Sequence, residues 1–303
     1  MPSTANLPST PSVRTVAEVG CNHCGELETA LEMIDTAADF CEADVVKFQK
    51  RTPAELLTNE EYEAPHPNPR HAYGDSYGKH REFLELPVDA HRQLQARCAD
   101  NDVAYSTSVW DRTAAEEVID ELAPDLLKIP SACNLDFEAL EYVVARHDGA
   151  IHLSLGMTTR EEEARIVEFF REAGRLDDLI LYACTSGYPV PFEDICLKEI
   201  TRLRETYGDD VRAIGFSGHH KGIAADVAAL TLGAAWVERH FTLDRTWKGT
   251  DHAASLEPGG LRKLARDLRN VSTALTEKPT PILPIEEAQR EKLKQKVETE
   301  VPS

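Results

Sequence analysis

Eight short β-rich runs, each followed by a stretch with helical character, constrain this chain more than any other feature. The runs are Arg14–Val19, Asp44–Phe48, Val103–Thr107, Leu126–Ile129, Ala150–Leu155, Leu179–Cys184, Val211–Phe216 and Ala235–Glu238. Between them lie amphipathic segments such as Glu28–Phe40, Ala114–Leu122, Phe137–Arg146, Arg160–Ala173, Leu197–Tyr207 and Ile223–Leu232. Such alternation implies parallel βα units. From Arg14 to about Asn270 the length matches an α/β fold of the (β/α)8 TIM-barrel type, which takes about 250 residues. A doubly wound open sheet is the alternative. It is weakened because no Gly-rich nucleotide turn occurs, neither GxGxxG nor GxxxxGK[ST].

The expected organisation is a flexible lead at 1–12, a catalytic barrel at 13–276 and a C-terminal tail at 277–303. The tail carries Pro279, Pro281 and Pro284 before a charged helical stretch, and is too short for a second domain. One connection is long: Arg51 to Leu86, with six prolines or glycines and three tyrosines among its landmarks (Pro53, Pro65, Pro67, Pro69, Gly74, Gly78; Tyr62, Tyr73, Tyr77). A connection of this length is usually functional or disordered. It follows the second strand and so belongs to the C-terminal face, where barrel enzymes do their chemistry.

Charge narrows the partners. The 303 residues carry a net charge of −20. Such a chain repels nucleic acid and anionic lipid, but a small anionic substrate remains open if basic residues converge on one pocket. No apolar run of about 18 residues exists, so no membrane span is expected. A Ser/Thr/Pro-rich start without an apolar core argues against a secretory signal. Seven scattered cysteines, an odd number, point to a reducing cytoplasm.

In a barrel, polar side chains at strand C-termini face the active site, and nearly every run here ends with one. Lys47 and Lys128 end the second and fourth. Two desolvated lysines facing one cavity repel unless an anion sits between them, and phosphate or carboxylate suits that place. Ser131, Ser154 and Ser186 add hydroxyl donors. The competing reading is a pair of independent structural lysines. His219 and His240 end the seventh and eighth runs, about one βα unit apart. Two imidazoles, a carboxylate and open water positions suit a divalent transition metal; His220 is a rival ligand. A lone histidine is more often a satisfied polar residue, but the paired placement favours the metal. Cys21 and Cys24 form a CxxC without a second one to complete a zinc site, and a βα turn with two incidental thiols accounts for them.

With these residues assembled, the chain resembles the sialic acid synthase family of N-acetylneuraminate and related nonulosonic acid synthases. The resemblance spans about Val13 to Leu275. It is carried by Ala17-Glu18-Val19-Gly20-Cys21-Asn22-His23-Cys24-Gly25, Val46-Lys47-Phe48-Gln49, Tyr77-Gly78-Lys79-His80-Arg81 and Lys128-Ile129-Pro130-Ser131. Further along it is carried by Ser154-Leu155-Gly156-Met157, Cys184-Thr185-Ser186-Gly187-Tyr188-Pro189, Gly215-Phe216-Ser217-Gly218-His219, Glu238-Arg239-His240-Phe241-Thr242 and Asp251-His252-Ala253-Ala254-Ser255-Leu256.

The resemblance implies condensation of phosphoenolpyruvate with an N-acetylmannosamine-like aldose, giving a 2-keto-3-deoxy sugar acid and phosphate. It implies a divalent ion, manganese first, with magnesium or cobalt as substitutes. Lys47, Lys128, Thr107, Ser131, Ser154, Ser186 and Ser217 would hold phosphoenolpyruvate. His219 and His240 would hold the metal, and Glu18 would be the acid/base group. Gln49, Tyr188, Glu238 and Asp251 would face the sugar. A homodimer is implied too. Three departures stand out: no C-terminal antifreeze-like domain, Gly218 where Ser-Asp-His is usual, and Cys24 where Asn is common. The alternatives are a metal-dependent barrel aldolase with another donor and a catalytically silent sugar- or phosphate-binding relative.

Overall fold

The structure, a computed structural model, describes residues 13–295; the expected lead at 1–12 and the last residues of the tail lie outside the described residues. Eight parallel strands close into a barrel in sequence order, each hydrogen-bonded to the next and β8 to β1. They are β1 (Arg14–Gly20), β2 (Val45–Lys50), β3 (Ala104–Val109), β4 (Leu126–Ile129), β5 (Ala150–Ser154), β6 (Leu179–Cys184), β7 (Ala213–Gly218) and β8 (Trp236–His240). The sequence expectation for the fold holds, with β4 and β6 matched at both ends and the other strand ends displaced by at most two residues. The open-sheet alternative is excluded by the β1–β8 ladder, which pairs Glu18 with His240.

The helices are α1 (Leu27–Asp35), α2 (Pro53–Leu56), α3 (Asn59–Glu63), α4 (Tyr77–Phe83), α5 (Val88–Asp100), α6 (Arg112–Leu122), α7 (Phe137–Arg146), α8 (Arg160–Glu172), α9 (Lys198–Tyr207), α10 (Ala224–Thr231), α11 (Pro258–Ala274) and α12 (Pro284–Leu293). Their starts follow capping chemistry. Asp111 accepts from the Ala114 N–H at 2.7 Å, satisfying a donor that α6 leaves orphaned. Thr159 and Glu162 form a reciprocal capping box at the start of α8. The helix expected at Glu28–Phe40 is α1 followed by a wider π turn at Thr36–Phe40.

Alternation along each strand sorts the residues into two environments. Outward-facing Phe48, Leu127, Leu153, Leu181, Phe216 and Val237 pack with Leu94, Val118, Leu140, Ile166, Leu203 and Leu264 of the helices into one continuous core. At about 1.5–3 kcal/mol per fully buried large apolar side chain, this shell drives folding. Inside the barrel the apolar cluster is small: Ala150, Ile180 and Tyr182, with Leu126, Ala213 and Trp236 against them. Much of the remaining interior is polar.

The β2–β3 connection is ordered rather than disordered. It holds α2, α3, a 3-10 turn at Pro69–His71 and α4 before α5. Tyr73 stacks on Phe83 with ring centroids 5.0 Å apart. Its hydroxyl donates to the Lys248 carbonyl at 2.5 Å, and His71 Nδ1 accepts from the Gly249 N–H at 3.2 Å. The connection is thereby fastened to the loop after β8. A barrel unit runs to Ser272, and the described residues after it, 273–295, belong to a second, small unit containing α12. No helix among the described residues is long and apolar enough to cross a membrane.

Candidate active site

Parallel pairing places register partners on the same side of the sheet, so the ladder determines which polar groups meet. Glu18 pairs with Lys47, Ser108 with Lys128, Ser217 with Glu238, and Glu18 with His240. All of them line a cavity of about 310 Å³ at the C-terminal mouth. Gln49, Ser131, Ser154, Ser186, Tyr188 and His219 line it too.

The centre of the site is a box of two lysines and two carboxylates. Lys47 Nζ lies 2.5 Å from Glu18 Oε2 and 3.7 Å from Glu238 Oε2, and donates to Ser108 Oγ at 2.9 Å. Lys128 Nζ lies 3.3 Å from the same Glu238 oxygen. Glu18 Oε1 accepts from Gln49 Nε2 at 2.7 Å, and Glu238 Oε1 accepts from Ser217 Oγ at 3.1 Å. Lys47 and Lys128 are 3% and 2% exposed. The anion between the lysines is therefore, in the first instance, the protein's own Glu238. Burial alone would raise the Glu238 carboxyl, but the ammonium groups of Lys128 and Lys47 outweigh it and hold it well below the usual carboxylate range. Burial would lower Lys47, but Glu18 and Glu238 more than offset it; in Lys128 burial wins and the pKa falls below the ordinary lysine value.

At the mouth, the His219 and His240 rings have centroids 5.4 Å apart, and Tyr188 stands edge-on to His219 at 4.5 Å. Burial, followed by His240, pushes His219 down to about 3, so it is neutral at pH 7. Nδ1 of both rings is buried without a hydrogen-bond partner. Two imidazoles, each with an unmet ring nitrogen, fit a divalent transition ion. No group of three His, Cys, Asp or Glu side chains poised for a metal occurs among the described residues. Water or substrate oxygens would complete the shell.

Several expectations need correction or relocation. Thr107 does not line the cavity; it is fully buried, and its neighbour Ser108 lines the cavity instead. The two differ by one position on β3, which reverses the face. Glu238, expected at the sugar, bridges the two lysines. Asp251 sits in the loop after β8 and is not among the lining residues; it accepts from Thr250 Oγ1 at 3.0 Å. Burial would raise its carboxyl, but His240, Thr250, Arg51 and Arg81 hold it low. His220 does not compete as a ligand. It lies behind the barrel wall, 3.2 Å from Asp226 and from the Arg239 guanidinium. Gly218 faces the same way: a Cβ there would stand 2.8 Å from Phe216 and 2.9 Å from His220. A carboxylate at 218 would thus meet these rings. All seven cysteines are unbridged, Cys21 and Cys24 included.

Sequence reading passed over Trp110 and Ala132 in the cavity wall, and quoted Cys184 at the end of the sixth strand without giving it a role. Trp110 and Ala132 also line an adjoining chamber of about 250 Å³ with Arg51 and Arg81. Arg51 was legible as the residue after Lys50, at the end of β2. It is buried, bonded to Glu85 at 2.7 Å, and its guanidinium lies 4.5 Å over the Trp110 ring.

The chain is similar to known proteins over most of its length. The NeuB family model matches residues 33–280. The chain is 36% identical over 286 residues to the N-acetylneuraminate-9-phosphate synthase of Homo sapiens, covering 94% of this chain and 77% of that one. It is 33% identical over 263 residues to the N,N'-diacetyllegionaminic acid synthase of Campylobacter jejuni, covering 86% and 76%. Its fold superposes on the N-acetylneuraminic acid synthetase of Leptospira borgpetersenii with a TM-score of 0.77 at 27% identity, covering 94% and 93%.

Proposed function

The chain belongs to the NeuB family and is a transferase of the sialic acid synthase type, and from that premise we propose that it condenses phosphoenolpyruvate with an N-acetylmannosamine-like aldose in a divalent-metal-dependent reaction. The observation that carries this reading is the buried lysine–carboxylate box opening beneath two imidazoles whose Nδ1 atoms have no partner.

Charge supports it. Two lysines and two carboxylates sum to zero, whereas a phosphate plus a carboxylate brings about three negative charges. A dication at His219 and His240 offsets most of that charge. Held there, a divalent ion supplies Lewis-acid polarisation of the aldehyde oxygen.

The remaining work falls to the chain's own groups. Lys128, Lys47 and the hydroxyls of Ser131, Ser154, Ser186 and Ser217 hold the phosphate and carboxylate of phosphoenolpyruvate. Its C3 is thereby presented to the aldehyde carbon, and the new C–C bond leaves positive charge at C2. Water adds at C2 and gives its proton to Glu18, whose carboxylate is oriented by Lys47 and Gln49. The tetrahedral intermediate then breaks its C–O bond as its C2 hydroxyl passes its proton to the departing phosphate, the proton taken by Glu18 goes to the oxygen of the former aldehyde, and the lysines stabilise the departing charge. Gln49 and Tyr188 line the mouth where the sugar enters.

The test is phosphate release from phosphoenolpyruvate with manganese and a panel of aldoses, with and without EDTA. Release that needs both the ion and one aldose establishes the reading. No release with any aldose, or release unaffected by EDTA, refutes it.

A further inference from the structure

Lys128 is the least conventionally partnered charge in the barrel. Its ammonium has no hydrogen-bond acceptor among the described residues, and its ion-pair partner is Glu238 at 3.3 Å. Its nearest other neighbour is an aromatic face: Nζ lies 3.6 Å from the ring centroid of Tyr182. Tyr182 does not line the cavity and has no part in the chemistry above.

The ring is held from three sides. It crosses its register partner Gly215 so closely that a Cβ there would stand 2.7 Å from Tyr182 Cε1. Its hydroxyl is 2.8 Å from His152 Nδ1. His152 is the register partner of Lys128, and its ring meets Trp236 edge-on at a centroid distance of 4.6 Å. Lys128, His152, Tyr182, Gly215 and Trp236 thus form one interlocked set on β4 to β8. Burial, followed by Lys128, pushes His152 down to about 3, so the imidazole beneath the ammonium carries no competing charge.

We propose that Tyr182 is a positioning residue, whose π face seats the Lys128 ammonium and aims its N–H donors at the anionic donor substrate. The proposal rests on the reading that Lys128 binds phosphoenolpyruvate. A desolvated cation is attracted to an aromatic face electrostatically. Unlike a carboxylate, the face neither neutralises the ammonium nor takes up its hydrogen-bond donors. When the anion arrives, the N–H donors are still unengaged, and the side chain has little freedom left to lose.

The experiment compares Tyr182→Phe with Tyr182→Met. Phenylalanine keeps the face and loses only the bond to His152; methionine fills much of the volume without a face. The dissociation constant of phosphoenolpyruvate, measured calorimetrically, should rise about tenfold in Tyr182→Met and stay within about twofold in Tyr182→Phe. The KM for phosphoenolpyruvate should follow, with kcat at saturation and the KM of the aldose little changed. Should Tyr182→Met not fold, a series of increasingly fluorinated phenylalanines at 182 keeps the shape while draining the face of charge, and affinity should fall stepwise. Unchanged affinity in Tyr182→Met, a flat fluorination series, or equal losses in Phe and Met overturn the proposal. If the unaltered protein binds no phosphoenolpyruvate, the reading of the site fails and the proposal with it.

Discussion

Neutralising Asp226 should destabilise the barrel from a point that touches no substrate. Arg239 lies on β8 between Glu238 and His240, and alternation turns its side chain away from the cavity, where it is 1% exposed. Its guanidinium meets Asp226 Oδ2 at 2.5 Å, the His220 carbonyl at 2.5 Å and the Gly222 carbonyl at 2.8 Å. Both charged side chains are wholly buried. Removing one member of such a pair strands the other, at a cost of about 3–5 kcal/mol. Two carbonyls stay on the guanidinium in Asp226→Asn, so the lower end, about 3 kcal/mol, applies. With a urea dependence of about 3 kcal/mol per molar for a chain of this size, the unfolding midpoint should fall by about 1 M. Tryptophan fluorescence and circular dichroism in urea measure it directly. A second variant separates the cause: Asp226→Leu with Arg239→Met removes both charges and should recover most of the loss, because the desolvation penalty disappears with them. A midpoint shift under about 0.3 M in Asp226→Asn would refute the argument and show that the carbonyls alone satisfy Arg239.

Four further outcomes follow from the site. Glu18→Gln should lower kcat by about 10²–10⁴-fold while phosphoenolpyruvate binding survives; full activity removes Glu18 from the chemistry. His240→Ala should weaken manganese binding more than about tenfold in a titration followed by electron paramagnetic resonance, and EDTA should silence the unaltered protein until manganese is restored. Because burial depresses Lys128, its charge is lost earlier on raising the pH than that of an ordinary lysine; phosphoenolpyruvate affinity should therefore decline on the alkaline side, and Lys128→Arg, charged throughout, should lose that decline. Gly218→Asp should cost about 1–3 kcal/mol of stability, since its Cβ meets the Phe216 and His220 rings; a neutral effect in thermal melts would mean that those rings yield freely.

The barrel was legible because its strands are short, apolar outside and terminated by polar residues. The site was legible for the same reason: Glu18, Lys47, Lys128, Ser217, His219, Glu238 and His240 all stand near strand ends and all line one cavity. What escaped was parity and pairing. Thr107 and Ser108 are equally plausible donors until the β2–β3 register places Lys47 beside Ser106, and hence Ser108 on the inner face. That Glu238 lies between the lysines depends on strands β2, β4 and β8 converging across the interior, which no spacing records. His152 and Tyr182 lie mid-strand, where a histidine or tyrosine reads as ordinary core; only closure of the barrel brings them under Lys128. The β2–β3 connection looked unstructured because its helices are too short to show a period, although Thr58 and Glu61 form a capping box there.

The β1–β8 seam has a consequence for biosynthesis. Asn22 donates to the Phe241 carbonyl and to Ser255, across 219 and 233 residues of chain. Contacts of such range form late, after the intervening chain has paid its loop-closure entropy. A nascent chain on the ribosome can stack its early βα units, yet it keeps two raw sheet edges exposed until the eighth strand emerges, and exposed edges invite aggregation. Glu18 and His240 are register partners on that seam. The last ladder to zip is thus the one that joins Glu18 to His240, so regain of turnover during refolding should time the final closure of the barrel rather than the gain of helix.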